Sequence, residues 1–336
     1  MDFEPAERVR AALASDRLDR APAGWWGHTF RDEWFPEQLA AATVDRQRAY
    51  GWDFVKLQPR ATCFAEAFGS EYRPSGTDRD PPVLVTARVQ GSDDWARIQP
   101  VDASRGPLGD QVEALRLVVD ELGPSVPVLQ TVFSPLTVAG YLVGEERDRV
   151  VGELRDQPAP VGNALRAIAE TLRDFAGRSL DAGAAGIFFA ISGYASRGVL
   201  PAAEYEVLAV PHDRTVIDAL PEAAWFNVLH LCGSEIEFDL VRSLPSHTVS
   251  WSVHQAGNPS LEEGRDRAGR AVMGGVDHTG TLLTGSADDV ADEVASAIHS
   301  TRGMGVMVAP GCSVSPDAPE DNLRAIVSTV DGEGKP

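Results

Sequence analysis

The sequence predicts an α/β chain folded as a (β/α)8 TIM barrel with a β excursion after the second strand. Three observations predict it. Short apolar runs alternate with longer stretches of helical periodicity. Eight such runs can be placed along the 336 residues. Neither GxGxxG after a strand nor a GxxxxGK phosphate loop occurs, which removes support for the nucleotide-binding form of the alternative, a doubly wound open sheet. Barrels of this kind run to ~250 residues or more as one unit, so 1–336 reads as a single domain.

The strands are expected at 22–26 (PAGWW), 52–57 (WDFVKL), 126–132 (VPVLQTV), 184–190 (AAGIFFA), 224–230 (AWFNVLH), 248–254 (TVSWSVH), 271–275 (AVMGG) and 304–309 (MGVMVA). Helices fall between them, for example at 110–122, 161–182 and 286–302. The last begins at Ser286 with acidic residues in its first turns, as a helix N-terminus favours. Residues 59–105 break the rhythm with Asp/Pro/Gly-rich patches around PPVLVTARV and read as a rim insertion. The tail, 330–336, reads as frayed.

The composition narrows the function. Lys plus Arg number 30 against 50 Asp plus Glu, a net charge of −20, which repels nucleic acid and anionic membranes. No run reaches the ~18–20 apolar residues of a membrane span, and the charged N-terminus does not resemble a signal peptide. A cytoplasmic protein is expected. Three cysteines, Cys63, Cys232 and Cys312, are too few for a disulfide framework.

A barrel carries its site at the C-terminal ends of its strands. Trp25 and Trp26 end strand one with His28 following, Gln58 stands after strand two, Tyr194 after strand four, His230 and Cys232 at strand five, His254 at strand six, Asp277 and His278 after strand seven, and Cys312 after strand eight. His212 and His299 fall in helical segments and read as structural; Cys63 reads as buried filler. The aromatic group Trp25, Trp26, Phe30, Trp34 and Phe35 is either a substrate wall or core. The sharpest signal is His230-Leu231-Cys232-Gly233. Residues i and i+2 of a strand face the same way, so imidazole and thiol project together. Two Cys and one His make a normal zinc set with a fourth position open, although two Cys and a His as core filler is the blander reading.

Five stretches, in order, resemble the uroporphyrinogen decarboxylase superfamily: 134–143 (SPLTVAGYLV), 181–184 (DAGA), 228–233 (VLHLCG), 272–277 (VMGGVD) and 310–323 (PGCSVSPDAPEDNL). The resemblance implies a (β/α)8 barrel and often a homodimer. It carries the family's catalytic tyrosine over to Tyr141. The Arg-rich N-terminal loop that binds substrate carboxylates is replaced by Trp25 to Arg31, and Leu57-Gln58-Pro59 lacks the family's pyrrole-binding Asp. The chain is more similar to the methylcobamide:thiol branch (coenzyme M type), whose zinc ligands, His-x-Cys and a distant Cys, correspond to His230, Cys232 and Cys312. A fourth ligand stays open: His254, Asp277 or the substrate. This branch implies methyl transfer between a corrinoid or methylated donor and a zinc-activated thiol, with zinc as cofactor and a corrinoid protein as partner. The alternative is a metal-free decarboxylase using Tyr141, His278 or His28 for proton transfer and Arg31, Arg60 or Arg197 for carboxylate binding.

Overall fold

The structure is a computed structural model and describes residues 3–333. Nine strands occur among these residues: β1 (Val55–Leu57), β2 (Glu71–Arg73), β3 (Val83–Thr86), β4 (Val128–Phe133), β5 (Gly186–Ser192), β6 (Val228–Cys232), β7 (Thr248–Trp251), β8 (Ala271–Val276) and β9 (Val306–Pro310). Seven form one curled parallel sheet in the order β1-β4-β5-β6-β7-β8-β9. Their residues are buried almost throughout. This is what helices on the outer face and side chains within the curl require of parallel strands, and it explains their near-continuous apolar sequences.

The first expected strand is reduced to a bridge. Ala23 pairs in parallel with Val308. Val308 N donates to Pro22 O (2.8 Å), Gly24 N to Val308 O (3.2 Å), and Asp53 N to Ala23 O (2.9 Å). This segment therefore touches both edges of the sheet. Pro22 has no N–H to give, and Gly24 lies where a Cβ would stand 3.1 Å from the Phe54 ring and carbonyl, so a regular ladder does not develop. The second expected strand starts three residues late, at Val55. Before it, Asp53 is buried and takes hydrogen bonds from Arg8 (2.5 Å), Arg20 (2.6 Å) and Ala23 N (2.8 Å).

Between β1 and β4 lie the short helix Cys63–Ala67, the antiparallel pair β2–β3 and a 3-10 segment, Ser92–Arg97. The longer helices are Gly106–Leu122, Pro158–Asp181 and Ala287–Ser300, close to the expected spans. Ser286 caps the last: its hydroxyl accepts from Asp289 N, and the Asp289 carboxylate reaches back to Ser286 N. The final helix carries on to Glu333 with Val330 buried, so of the tail expected to fray only 334–336 lie outside the described residues.

Candidate metal centre

The end of β6 places the first two donors. His230 and Cys232 share the inward face of the strand, with Ala190 and Ser192 of β5 as their register neighbours. Gly233 follows at φ +112°, a backbone state that turns the chain away and favours glycine. The Asn258 side chain ties this corner: its amide nitrogen donates to Gly233 O and Ser252 O, and its oxygen accepts from Ile236 N. Cys312 arrives from the end of β9. Gly311 is pressed against Ser252, and a Cβ there would meet Ser252 Cβ at 2.5 Å. The backbone reaches this far inward only without a side chain.

The result is one compact group. The donor atoms of His230, Cys232 and Cys312 lie within 4.8 Å of one another, and the two sulfurs are 3.6 Å apart. His230 Nδ1 meets Ser250 Oγ at 3.2 Å, and its ring packs on Phe188 with centroids 5.0 Å apart. Its Nε2 is buried without a hydrogen-bond partner among the described residues. Their mutual hydrogen bond splits the two thiols, raising Cys232 well above the usual thiol range and lowering Cys312 well below it, while burial opposes ionisation of both.

Around this group the other expected residues divide. Trp26 faces inward against Phe188 (5.2 Å), but Trp25 packs the other way, edge-on to Tyr50 and Trp52. His28 Nδ1 binds the buried Glu33 carboxylate (2.9 Å), and its Nε2 faces Gln58 Nε2 (3.0 Å). Tyr141 and Tyr194 line a small open cavity with Thr137, Glu145, Arg147 and Ser192. Ser192, which lines it, is the register neighbour of Cys232 on β6. Burial pushes both phenols well above their usual range and keeps them protonated. His278 has a buried Nδ1 without a partner, and burial lowers its pKa against the pull of Cys312, so it is neutral. His254 Nε2 is held by Gly275 O (3.0 Å), and Asp277 is turned onto Thr279 N and Oγ1. Burial opposes ionisation of Asp277, and the Thr279 and Gly280 hydrogen bonds overcome it. Neither belongs to the three-donor group. Phe30, Trp34 and Phe35 line a separate cavity with residues of the 74–82 loop.

Sequence reasoning passed over Ser250, Arg147 and, above all, Lys56. Lys56 is 6% exposed and points into the curl from β1. A lysine inside an apolar strand, where charged residues are rarely buried, was the available signal.

A curled parallel sheet with two sulfurs and an imidazole gathered at its C-terminal strand ends defines the class: an α/β barrel-type enzyme with a cysteine–histidine centre. The chain belongs to the uroporphyrinogen decarboxylase (URO-D) family, whose profile matches residues 9–332. It is 23% identical over 343 aligned positions to the methylcobamide:CoM methyltransferase MtbA of Methanosarcina acetivorans, covering 97% of each chain. A uroporphyrinogen decarboxylase of Microcystis aeruginosa is 25% identical over 261 positions, 75% of this chain and 69% of that protein. Among solved structures, a methyltransferase from Methanosarcina mazei superposes with a TM-score of 0.82 at 22% identity, covering 99% of this chain and all of that one. Methyltransferases are thus relatives of this chain over nearly its whole length, and a decarboxylase is one over three quarters of it. No helix among the described residues is long and apolar enough to cross a membrane.

Proposed function

We propose that this enzyme is a zinc-dependent methyltransferase that moves a methyl group between a corrinoid or methylated donor and a thiol. The observation that carries the reading is the three-donor group. Two sulfurs each ~2.3 Å from a tetrahedral zinc stand roughly 3.8 Å apart, and here they are 3.6 Å apart. The unpartnered, buried Nε2 of His230 supplies the third donor, and its Nδ1 hydrogen bond to Ser250 leaves Nε2 as the ligand atom. Residues 22–24, bonded to both sheet edges, are read as the eighth stave that brings β9, and with it Cys312, round to the mouth.

Zinc bound there would stabilise a thiolate at neutral pH, where a free thiol with pKa ~8.5 is mostly protonated. The protein's own residues do the rest. Cys232 and Cys312 set the charge of the centre. Ser250 fixes the imidazole. Tyr141 and Tyr194, held protonated, offer hydrogen-bond donors to a substrate entering the cavity they line. His278 Nδ1 is an open acceptor for the proton a thiol gives up.

Decarboxylation of a porphyrinogen is less well served. Arg60 is buried and bound to Glu66 (2.8 Å), Arg31 is on the surface with Asp78 (2.9 Å), and Arg197 is exposed. Arg60 and Arg31 are thus already engaged by carboxylates.

Purified protein should carry about one zinc per chain and should consume methylcobalamin in the presence of a small thiol, followed by the loss of its cobalt–carbon absorbance. Metal-free protein that still reacts at full rate would reject the assignment. Ser250→Ala should weaken zinc binding by roughly 10–100-fold, the usual effect of removing a ligand's supporting hydrogen bond. Competition with a chromogenic chelator measures this, and an unchanged affinity would show that Ser250 does not orient the ligand.

A further inference from the structure

Lys56 has no evident structural purpose. Its ammonium is buried and lies in no ion pair among the described residues, in a chain with many carboxylates to spare. It donates to Gln58 Oε1 and sits 5.7 Å from the Trp26 ring centre and 5.0 Å from that of Phe188. The amide of Gln58 is fixed in turn. Its nitrogen faces His28 Nε2, and His28 Nδ1 then donates to Glu33, a carboxylate 1% exposed. The run of donors has one consistent sense, from Lys56 through Gln58 and His28 to Glu33, and it leaves the ammonium as its free end. Gln58 Oε1 also accepts from Ser313 Oγ at 3.4 Å, and Ser313 follows Cys312 directly. The Phe188 ring centre is 5.0 Å from the Lys56 ammonium and 5.0 Å from the His230 ring centre. The chain therefore ends beside the sulfur group.

Charge arithmetic says what such a cation can do. Two cysteine thiolates cancel the charge of one divalent ion. A thiol that gives up its proton on joining them adds one more negative charge in a site shielded from water. An isolated buried charge of that kind is costly, and a fixed opposite charge offsets it.

We propose that Lys56 is the counter-ion of the sulfur site, held by Gln58 against the Trp26 and Phe188 rings so that its single positive charge balances a third sulfur anion brought beside Cys232 and Cys312. This rests on the thiol reading above. It makes Lys56 a positioning residue that acts through the field it sets at the sulfurs. The electrostatic balance agrees: burial pulls the ammonium down to about 7, and Cys312, Glu33 and Cys232 are the groups that pull it back up. The same field would favour thiol substrates that lack a cationic group near sulfur.

The test uses the full chain freed of metal by a chelator and compares two alkylating agents of similar size, anionic iodoacetate and neutral iodoacetamide. Modification of Cys232 and Cys312 is followed by peptide mass; Cys63, fully buried, serves as the internal control. Lys56→Met should lower the iodoacetate-to-iodoacetamide rate ratio by roughly fivefold or more, as loss of a nearby charge in a poorly screened site demands. Lys56→Arg should restore part of it. Lys56→Met should also melt no lower than the wild type, since it removes a buried charge; should it fail to fold, Lys56→Gln, which can still bond Gln58, replaces it. A ratio unchanged in a folded neutral variant overturns the proposal. Zinc content of the wild type is measured separately. A fallen ratio in a protein that binds no zinc would sink the zinc reading and leave the counter-ion standing, whereas normal zinc with an unchanged ratio would do the reverse.

Discussion

Cys232→Ser, purified alongside the wild type, should contain almost no zinc and should lose methyl transfer from methylcobalamin to thiol by at least about a hundredfold. That bound follows because groups that merely support a ligand already cost 10–100-fold when removed. Cys232 is the donor whose loss is hardest to repair. It sits on the same strand face as His230 and 3.6 Å from the Cys312 sulfur, and no fourth Cys or His joins the group among the described residues. A serine hydroxyl remains protonated at neutral pH and does not replace a thiolate. The loss should be local. The Cys232 side chain is only partly buried, at the end of its strand, so the variant should melt near the wild type. Cys63→Ser gives the contrast. Its sulfur lies in the helix Cys63–Ala67, fully buried, with its thiol pKa pushed well up by burial. It should keep its zinc and lose stability instead. Elemental analysis of the two variants, with melting curves, separates a ligand from a packing thiol. Full zinc occupancy in Cys232→Ser would mean that the donor set is wrong.

The contrast between those cysteines marks what could be read from the chain. The pair His230 and Cys232 was legible because strand periodicity is local: two residues apart on one strand means one face. Cys312 was legible once a curled parallel sheet was expected, since strand ends then converge. His254 and Asp277 look the same in sequence, yet their polar atoms are satisfied by Gly275 O and by Thr279, choices made by loop geometry that spacing does not encode. Trp25 and Trp26 are neighbours with opposite directions, one to Tyr50 and Trp52, one to Phe188. Lys56 escaped notice for a related reason. In VKL, a lysine on a strand is normally turned to solvent, whereas the packing of β1 against β4 and Phe188 of β5 puts its face on the inside. Most strand cores were placed within a few residues, because buried parallel strands are nearly pure apolar runs. The segment at 22–26 was not, because an apolar run containing Pro22 and Gly24 carries the burial of a strand without its hydrogen-bonding capacity.

That weak segment makes a second large effect predictable. Asp53→Ala should lower stability by about 3–5 kcal/mol, the usual result of removing one partner from a buried ionic cluster. Asp53 is 1% exposed and accepts from two guanidiniums, Arg8 at 2.5 Å and Arg20 at 2.6 Å, and from Ala23 N at 2.8 Å. Its loss would leave Arg20 with Ala21 O and the half-exposed Asp331, and Arg8 with Asp19 and Phe3 O. It would also free the backbone of Ala23 on the side facing β1. The bonds from residues 22–24 to β9 would remain, but the link to β1 would rest on Asp53 N alone. Asp53→Asn, which can still accept from Ala23 N, should lose less, and the difference between the two reports what the backbone tie contributes. For a chain of this size the alanine variant should melt about 5–10 °C lower. The cluster lies at the N-terminal end of β1, whereas the sulfur donors are at the C-terminal ends of β6 and β9. Well below its melting temperature the variant should therefore still bind zinc at full stoichiometry. A variant that melts normally would show that the ionic cluster is dispensable to the seam, and one that melts normally but loses its zinc would show that the seam sets the position of Cys312 and not the stability of the sheet.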